Sequence, residues 1–162
     1  MNEESLREKI ISESISSLRE EGLRFSVDTL AARMRISKKT IYKHFASKEE
    51  LARALYDTYY RDMTGRIQAQ EGRGSAMDVL RLYCDTKYMT RREIFNKYQL
   101  NGPISSYVET LETELWLTVV KVLSLAWDEE GTLRVILDGA LEKLWETGQD
   151  PDRVLERLVR LL

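Results

Sequence analysis

Apolar side chains recur at helical spacing along nearly the whole chain. Leu6, Ile10, Ile11, Ile15 and Leu18 form a helical stripe and predict an amphipathic helix that ends before Gly22. Val27, Leu30, Ala31 and Met34 follow at i, i+3, i+4 and i+7, the stripe of a short second helix. Ile41 and Phe45 then stand alone, four residues apart, which puts both on one face of a two-turn helix. Lys39 and Lys43 point the opposite way from that face, with Thr40 and Tyr42 on its flanks. From Ser47 a longer helix is expected through Leu51, Leu55, Tyr59 and Met63, fading before Gly65. Glu71-Gly72-Arg73-Gly74-Ser75 is the clearest break.

Beyond the break, Met77, Leu80, Tyr83, Cys84 and Tyr88 lead into an aromatic-rich stretch that ends at Asn101-Gly102-Pro103. Val108, Leu111, Leu115, Val119, Val122 and Leu123 predict a long helix reaching Glu129-Glu130-Gly131. Two more helices, over 132–147 and 151–162, are separated by Gly148 and Pro151. No stretch shows the strict alternation of a strand, and none repeats. The fold class is therefore all-α.

Three helix starts crowd the stretch from Ser26 to Glu50. Ser26 caps one helix, with Asp28 adding a negative charge to its first turn. Arg35 and Ile36 make the turn to the next helix, which Ser37 caps. Ser47 and Glu50 form an S-x-x-E capping box for the third. Compact helices around Ile36, Ile41 and Phe45 make a helix-turn-helix, and a two-turn helix with lysines, a hydroxyl and a phenol on its open side suits a DNA major groove. The expected division is a helix-turn-helix head over 1–47 and a helical body over 48–162.

The order of residues from Gly22 through Phe25-Ser26-Val27, Leu30-Ala31, Ile36-Ser37-Lys38, Thr40-Ile41-Tyr42, Phe45 and Ser47-Lys48-Glu49-Glu50-Leu51 resembles the tetracycline-repressor (TetR) family of bacterial transcription regulators. The resemblance covers about a third of the chain, and its string from Ile36 to Leu51 is much more specific than a generic helix-turn-helix pattern. It implies that Lys39, Thr40, Tyr42 and Lys43 face DNA, with Ser26, His44 and Lys48 near phosphates. The family usually has glycine where this chain has Arg35. If the turn needs positive φ, a side chain there costs about 1–2 kcal/mol, and Arg35 is alternatively one more phosphate contact.

Charge agrees with a DNA-binding head. Between Arg24 and Lys48 seven cations, Lys38 among them, face Asp28 alone, so this stretch carries +6 while the whole chain is −2 and the remainder −8. Catalysis finds little support. His44 is the one histidine, and there is no histidine–cysteine cluster with metal spacing, no glycine-rich phosphate loop and no partner for a serine nucleophile. Neither an enzyme nor a cofactor is expected. Glu109, Glu112 and Glu114 read as a solvated helix face. The lone Cys84 reads as a buried thiol among Leu80, Tyr83 and Tyr88. With no apolar run near twenty residues and no charged-then-apolar leader, the expected place is the cytoplasm.

The final two helices carry broad apolar stripes, Leu133, Leu137, Leu141, Leu144 and Trp145 on one, Leu155, Leu158 and Leu162 on the other. Such a carboxyl-terminal end is too apolar for a free surface, and pairing two copies into a four-helix interface would cover it. A homodimer on a pseudo-palindromic duplex is the expectation. Aromatic residues are dense between Leu80 and Trp127, and Tyr83, Tyr88, Phe95, Tyr98, Tyr107 and Trp116 are the candidates to line a pocket for a small hydrophobic or aromatic effector. Two functional classes stay open. One is a repressor released by such a ligand, and the other is a DNA-binding architectural or partner-regulated protein of the same fold without an inducer.

Overall fold

A computed structural model describes residues 3–98, 102–125 and 131–162 of the chain. The described residues are helical, with no strand among them. Helix α1 spans Glu3–Glu21 and is followed by a single 3-10 turn, Gly22–Arg24. Helices α2 (Val27–Met34), α3 (Lys38–His44) and α4 (Lys48–Gln68) come next, then α5 (Ala76–Tyr88) and α6 (Arg92–Tyr98). The chain closes with α7 (Pro103–Val122), α8 (Thr132–Glu146) and α9 (Asp152–Val159). None of the described helices is long and apolar enough to cross a membrane.

Three boundaries differ from the pattern-based expectation. Helix α4 runs through Gly65 to Gln68, because Met63 and Ile67, 1% and 0% exposed, anchor its last turns and outweigh the roughly 1 kcal/mol that a helical glycine costs. Helix α7 stops at Val122, where Ser124 turns left-handed (φ 54°) and the Leu125 amide closes back on the Val120 carbonyl at 2.8 Å. Helix α9 stops at Val159, short of the expected carboxyl-terminal residues. Trp127, one of the aromatic residues weighed above, lies outside the described residues.

The chain packs as two units, Met1–Tyr59 with Glu93–Val108, and Tyr60–Arg92 with Glu109–Leu162. In the first, Ile10, Ile11, Leu30, Ile41, Phe45 and Leu51 form one buried cluster. Leu6, Ile15, Phe25, Val27, Met34 and Ile36 pack around it. This cluster sets the orientation of α3, since both apolar anchors of that helix, Ile41 and Phe45, are fully buried in it. Tyr98 of α6 reaches back to the turn before α2, its hydroxyl donating to the carbonyls of Phe25 (2.6 Å) and Gly22 (3.0 Å).

The second unit has an ionic interior. Glu112 of α7 is 9% exposed, not on a solvated face as its neighbours Glu109 and Glu114 are. It pairs with the Lys87 ammonium at 2.7 Å and the Arg134 guanidinium at 3.5 Å, and accepts from Thr90 (2.7 Å) and Tyr60 (3.1 Å). Asp138 is 3.5 Å from both Lys87 and Arg134 and accepts the Tyr83 hydroxyl at 2.6 Å. Burial, with the Asp138 carboxylate beside it, pushes the Tyr83 phenol well above its ordinary range. Two cations and two carboxylates thus meet with compensating charge. A carboxylate ordinarily marks a solvated face, but here register overrides it. Glu112 falls in register with Val108, Leu115, Trp116 and Val119, all buried. Cys84 is 5% exposed, and burial pushes its thiol up to about 12, so it stays protonated and poorly nucleophilic at neutral pH.

Candidate nucleic-acid interface

The helix-turn-helix is built by caps. Ser26 holds extended backbone (φ −150°) and its hydroxyl accepts the Thr29 amide at 3.0 Å, while the Thr29 hydroxyl accepts the Ser26 amide at 3.0 Å. Ser37 caps α3 through the Thr40 amide (3.0 Å) and shares its hydroxyl with that of Thr40 at 2.8 Å. The Thr40 side chain is fixed by that second bond, leaving its methyl for apolar contact. Ser47 accepts the Glu50 amide at 3.1 Å, whereas the Glu50 carboxylate takes the Ala46 amide at 2.7 Å, one residue earlier than a full capping box.

Arg35 supplies the turn between α2 and α3 in the left-handed region, at φ 55° and ψ 39°. The Ile36 amide returns to the Ala31 carbonyl at 3.0 Å, the closing bond of a left-handed helix terminus. A position where glycine is strain-free is thus held by an arginine whose side chain is exposed. Left-handed backbone costs about 1–2 kcal/mol with a side chain, and the extra freedom of glycine in the unfolded chain returns about 0.4–1 kcal/mol of that. Arg35→Gly is expected to stabilise the protein by up to about 1 kcal/mol, read as a higher urea midpoint at unchanged slope. A lower midpoint would show that the arginine side chain contributes more than its backbone costs.

On the outer side of α3, Lys39, Tyr42 and Lys43 are exposed, Tyr42 by 41%, and Thr40 and His44 are half-buried. The helix is seven residues long, about 10 Å. Arg33 and Lys38 of the basic stretch already have carboxylate partners. Arg33 reaches Glu20 at 2.7 Å and also pairs with Glu13 and Glu21, clamping α2 to α1. The Glu20 hydrogen bond raises the guanidinium further above its ordinary range. Lys38 pairs with Asp28 at 2.8 Å, and that hydrogen bond raises the Lys38 ammonium. Both pairs are solvent-facing, so a phosphate can compete for Lys38 at little expense. Sequence counting alone misses these partners, although Asp28 and Lys38 are both visible in it.

Lys48 is half-buried and donates to the Tyr98 carbonyl at 2.7 Å, so its ammonium is engaged within the protein rather than extended into solvent. The six aromatic candidates for an effector pocket fall three to each unit. Tyr83 is fully buried edge-on to Trp116 at 5.0 Å, and Tyr88, 42% exposed, meets Trp145 at 5.5 Å with the Arg91 guanidinium over its ring. Phe95 stacks on Tyr56 at 5.8 Å, and Tyr107 donates to Asp57 at 2.8 Å beneath the Arg53 guanidinium.

The carboxyl-terminal leucines also sort themselves. Leu133, Leu137, Leu141 and Leu155 are buried inside the protomer, at 8%, 0%, 0% and 0% exposure, so they are not themselves surface for a partner copy. Leu144, Trp145 and Leu158 are half-buried, and Leu162 is exposed. Val135 and Ile136 on α8 and Leu161 beyond α9 are also exposed, by 72%, 59% and 82%.

Residues 10–55 match the family model described as bacterial regulatory proteins, tetR family. That span takes in most of α1, all of α2 and α3 and the start of α4. The chain is also similar to an uncharacterized HTH-type transcriptional regulator, YvaF, of Bacillus subtilis (strain 168), with 23% identity over 119 residues. The match covers 74% of this chain and 60% of that protein, so the chain spans less than two thirds of its relative's length. No solved structure matches it significantly.

Proposed function

We propose that this chain is a DNA-binding transcription regulator, a homodimeric repressor released from its operator by a small hydrophobic ligand, a reading supported by the match of residues 10–55 to the family model of bacterial regulatory proteins, tetR family. The observation that carries the reading is α3 itself. Its apolar anchors are buried on one side while Lys39, Tyr42 and Lys43 are solvent-exposed on the other. The lysines take base edges or phosphates, Thr40 and Tyr42 add methyl and hydroxyl contacts, and Ser26, Arg35, Lys38 and His44 flank the duplex backbone. Lys48 serves the interface by holding α6 on the head through Tyr98 rather than by a phosphate contact.

The dimer seam in this proposal uses the exposed flank of the two last helices, Val135, Ile136, Leu144, Leu158 and Leu162, next to leucines that already serve the protomer core. A second reading, DNA binding without an inducer, draws on the ionic cluster around Glu112 and Asp138, which occupies interior space of the second unit where an apolar effector was expected.

Selection of duplexes from a random pool, followed by footprinting at fixed salt, tests the proposal. Two protected half-sites on one face of the DNA, about 34–36 Å or a multiple apart, are expected, with a dimer mass in solution. Absence of any enriched duplex, or a monomer at micromolar concentration, contradicts it.

A further inference from the structure

We propose that the amino-terminal unit holds a binding site for an apolar molecule about the size of one aromatic ring, beneath the helix-turn-helix, and that filling it changes the affinity of the head for DNA. The binding stands on the geometry alone, while the effect on DNA rests on the regulator reading above.

A cavity of about 170 Å³ lies in this unit. Leu18 lines it from the end of α1, Phe25 from the turn before α2, Val27 from the start of α2, Leu51 and Leu55 from α4, and Ile94 from α6, and its mouth is open to solvent. The wall is almost wholly apolar. Polar groups at its edge already have partners inside the protein. The Lys48 ammonium donates to the Tyr98 carbonyl (2.7 Å), the Tyr98 hydroxyl to the Phe25 carbonyl (2.6 Å), and the Ser26 hydroxyl accepts the Thr29 amide (3.0 Å). A water in such a space gains few of the two to four hydrogen bonds it needs. Apolar cavities of about 150 Å³ lined by leucine, isoleucine and phenylalanine stay dry and take up benzene or xenon. Size and lining therefore select a single aromatic ring or a short hydrocarbon, and exclude sugars, nucleotides and anions, whose desolvated polar groups would find no partner.

The location gives the occupant leverage. Ser26 and Val27 are the cap and first residue of α2, the helix that positions α3 through the Arg35 turn. The same space touches α4 and α6, so an occupant bears at once on the start of α2 and on the Tyr98 tie across residues 22–25. A ligand preferring one placement of α2 shifts DNA affinity by the ratio of its own affinities for the two placements, and DNA shifts ligand affinity by the same factor.

The full chain, with methyl groups labelled for NMR, is titrated with benzene and, in a separate sample, pressurised with xenon. Saturable shifts confined to Leu18, Val27, Leu51, Leu55 and Ile94 are expected from both. Ala52→Leu, which pushes a larger side chain into the space from α4, should raise the melting temperature and abolish the benzene response. No saturable shift at these methyls in the unmodified protein overturns the site, as does an undiminished response in folded Ala52→Leu. The xenon arm needs no variant, so the site stays testable if that substitution does not fold. Saturating benzene that leaves affinity for a selected duplex unchanged overturns the coupling. A protein that binds benzene here but enriches no duplex overturns the regulator reading and leaves the site standing.

Discussion

Replacing Lys39 and Lys43 together by alanine is expected to weaken binding to a selected duplex on the order of a hundredfold or more, at about 1–3 kcal/mol for each side chain that reaches a base edge. Both lysines project from the exposed face of α3, so the head should fold unchanged by circular dichroism. The comparison that gives the result meaning is Lys38→Ala. That ammonium is already paired with Asp28, so DNA gains only the difference between a phosphate and a carboxylate partner. Lys38→Ala should therefore cost less than Lys39→Ala, and should lower affinity for all duplexes alike. Fluorescence anisotropy over a range of salt separates the cases, since a lost phosphate contact flattens the salt slope while a lost base contact relaxes specificity at one base pair. If the double variant binds within about threefold of the parent, α3 is not the helix that reads DNA, because even one base contact is worth more than that.

Glu112→Ala should be the most destabilising single change in the second unit, by about 3–5 kcal/mol. The carboxylate has four partners, and its removal leaves Lys87 and Arg134 sharing Asp138 alone in an interior where Lys87 is 9% exposed. An uncompensated buried charge costs more than the pair it belonged to contributed. Hence Lys87→Met placed in the same chain as Glu112→Ala should recover a large part of the loss, which additive effects do not allow. Urea midpoints of the two single variants and the double variant measure this. A loss below about 1 kcal/mol for Glu112→Ala would put the pair in the class of exposed ion pairs and remove the network from the account of stability.

The helix-turn-helix was legible in the sequence because its determinants are local. Ser26, Ser37 and Ser47 mark helix starts within a few bonds of the amides they cap, and the Ile41–Phe45 spacing fixes which side of α3 is buried. The left-handed turn at Arg35 was not legible locally: only the glycine that the resembled family has there raised it, as a condition that the structure meets at φ 55°. What could not be read was which neighbour covers a stripe. Leu133, Leu137 and Leu141 have the spacing of an interface, yet it is their own protomer that buries them. Periodicity reports that a face is covered and is silent about the covering surface. The ionic cluster was hidden for a related reason. Lys87 sits in register with Leu80, Tyr83 and Cys84 on α5, as Glu112 does with its stripe on α7, and only the fold brings these two interruptions together. A charge on an apolar stripe in each of two helices, opposite in sign, was the available signal.

The segment from Glu93 to Val108 belongs to the same unit as the helix-turn-helix, although more than thirty residues of the other unit intervene. That interleaving bears on how such a head can be recombined. A head excised at Tyr59 and grafted onto a foreign sensor leaves behind Phe95, the stacking partner of Tyr56, and Tyr98, the tie to Gly22 and Phe25. The transplant would carry the outer face of α3 intact and an open apolar flank beneath it. Heads of this design are therefore not beads on a string. Exchange between relatives must move two separated stretches of gene together, or find a recipient whose own sixth helix already fits the vacancy.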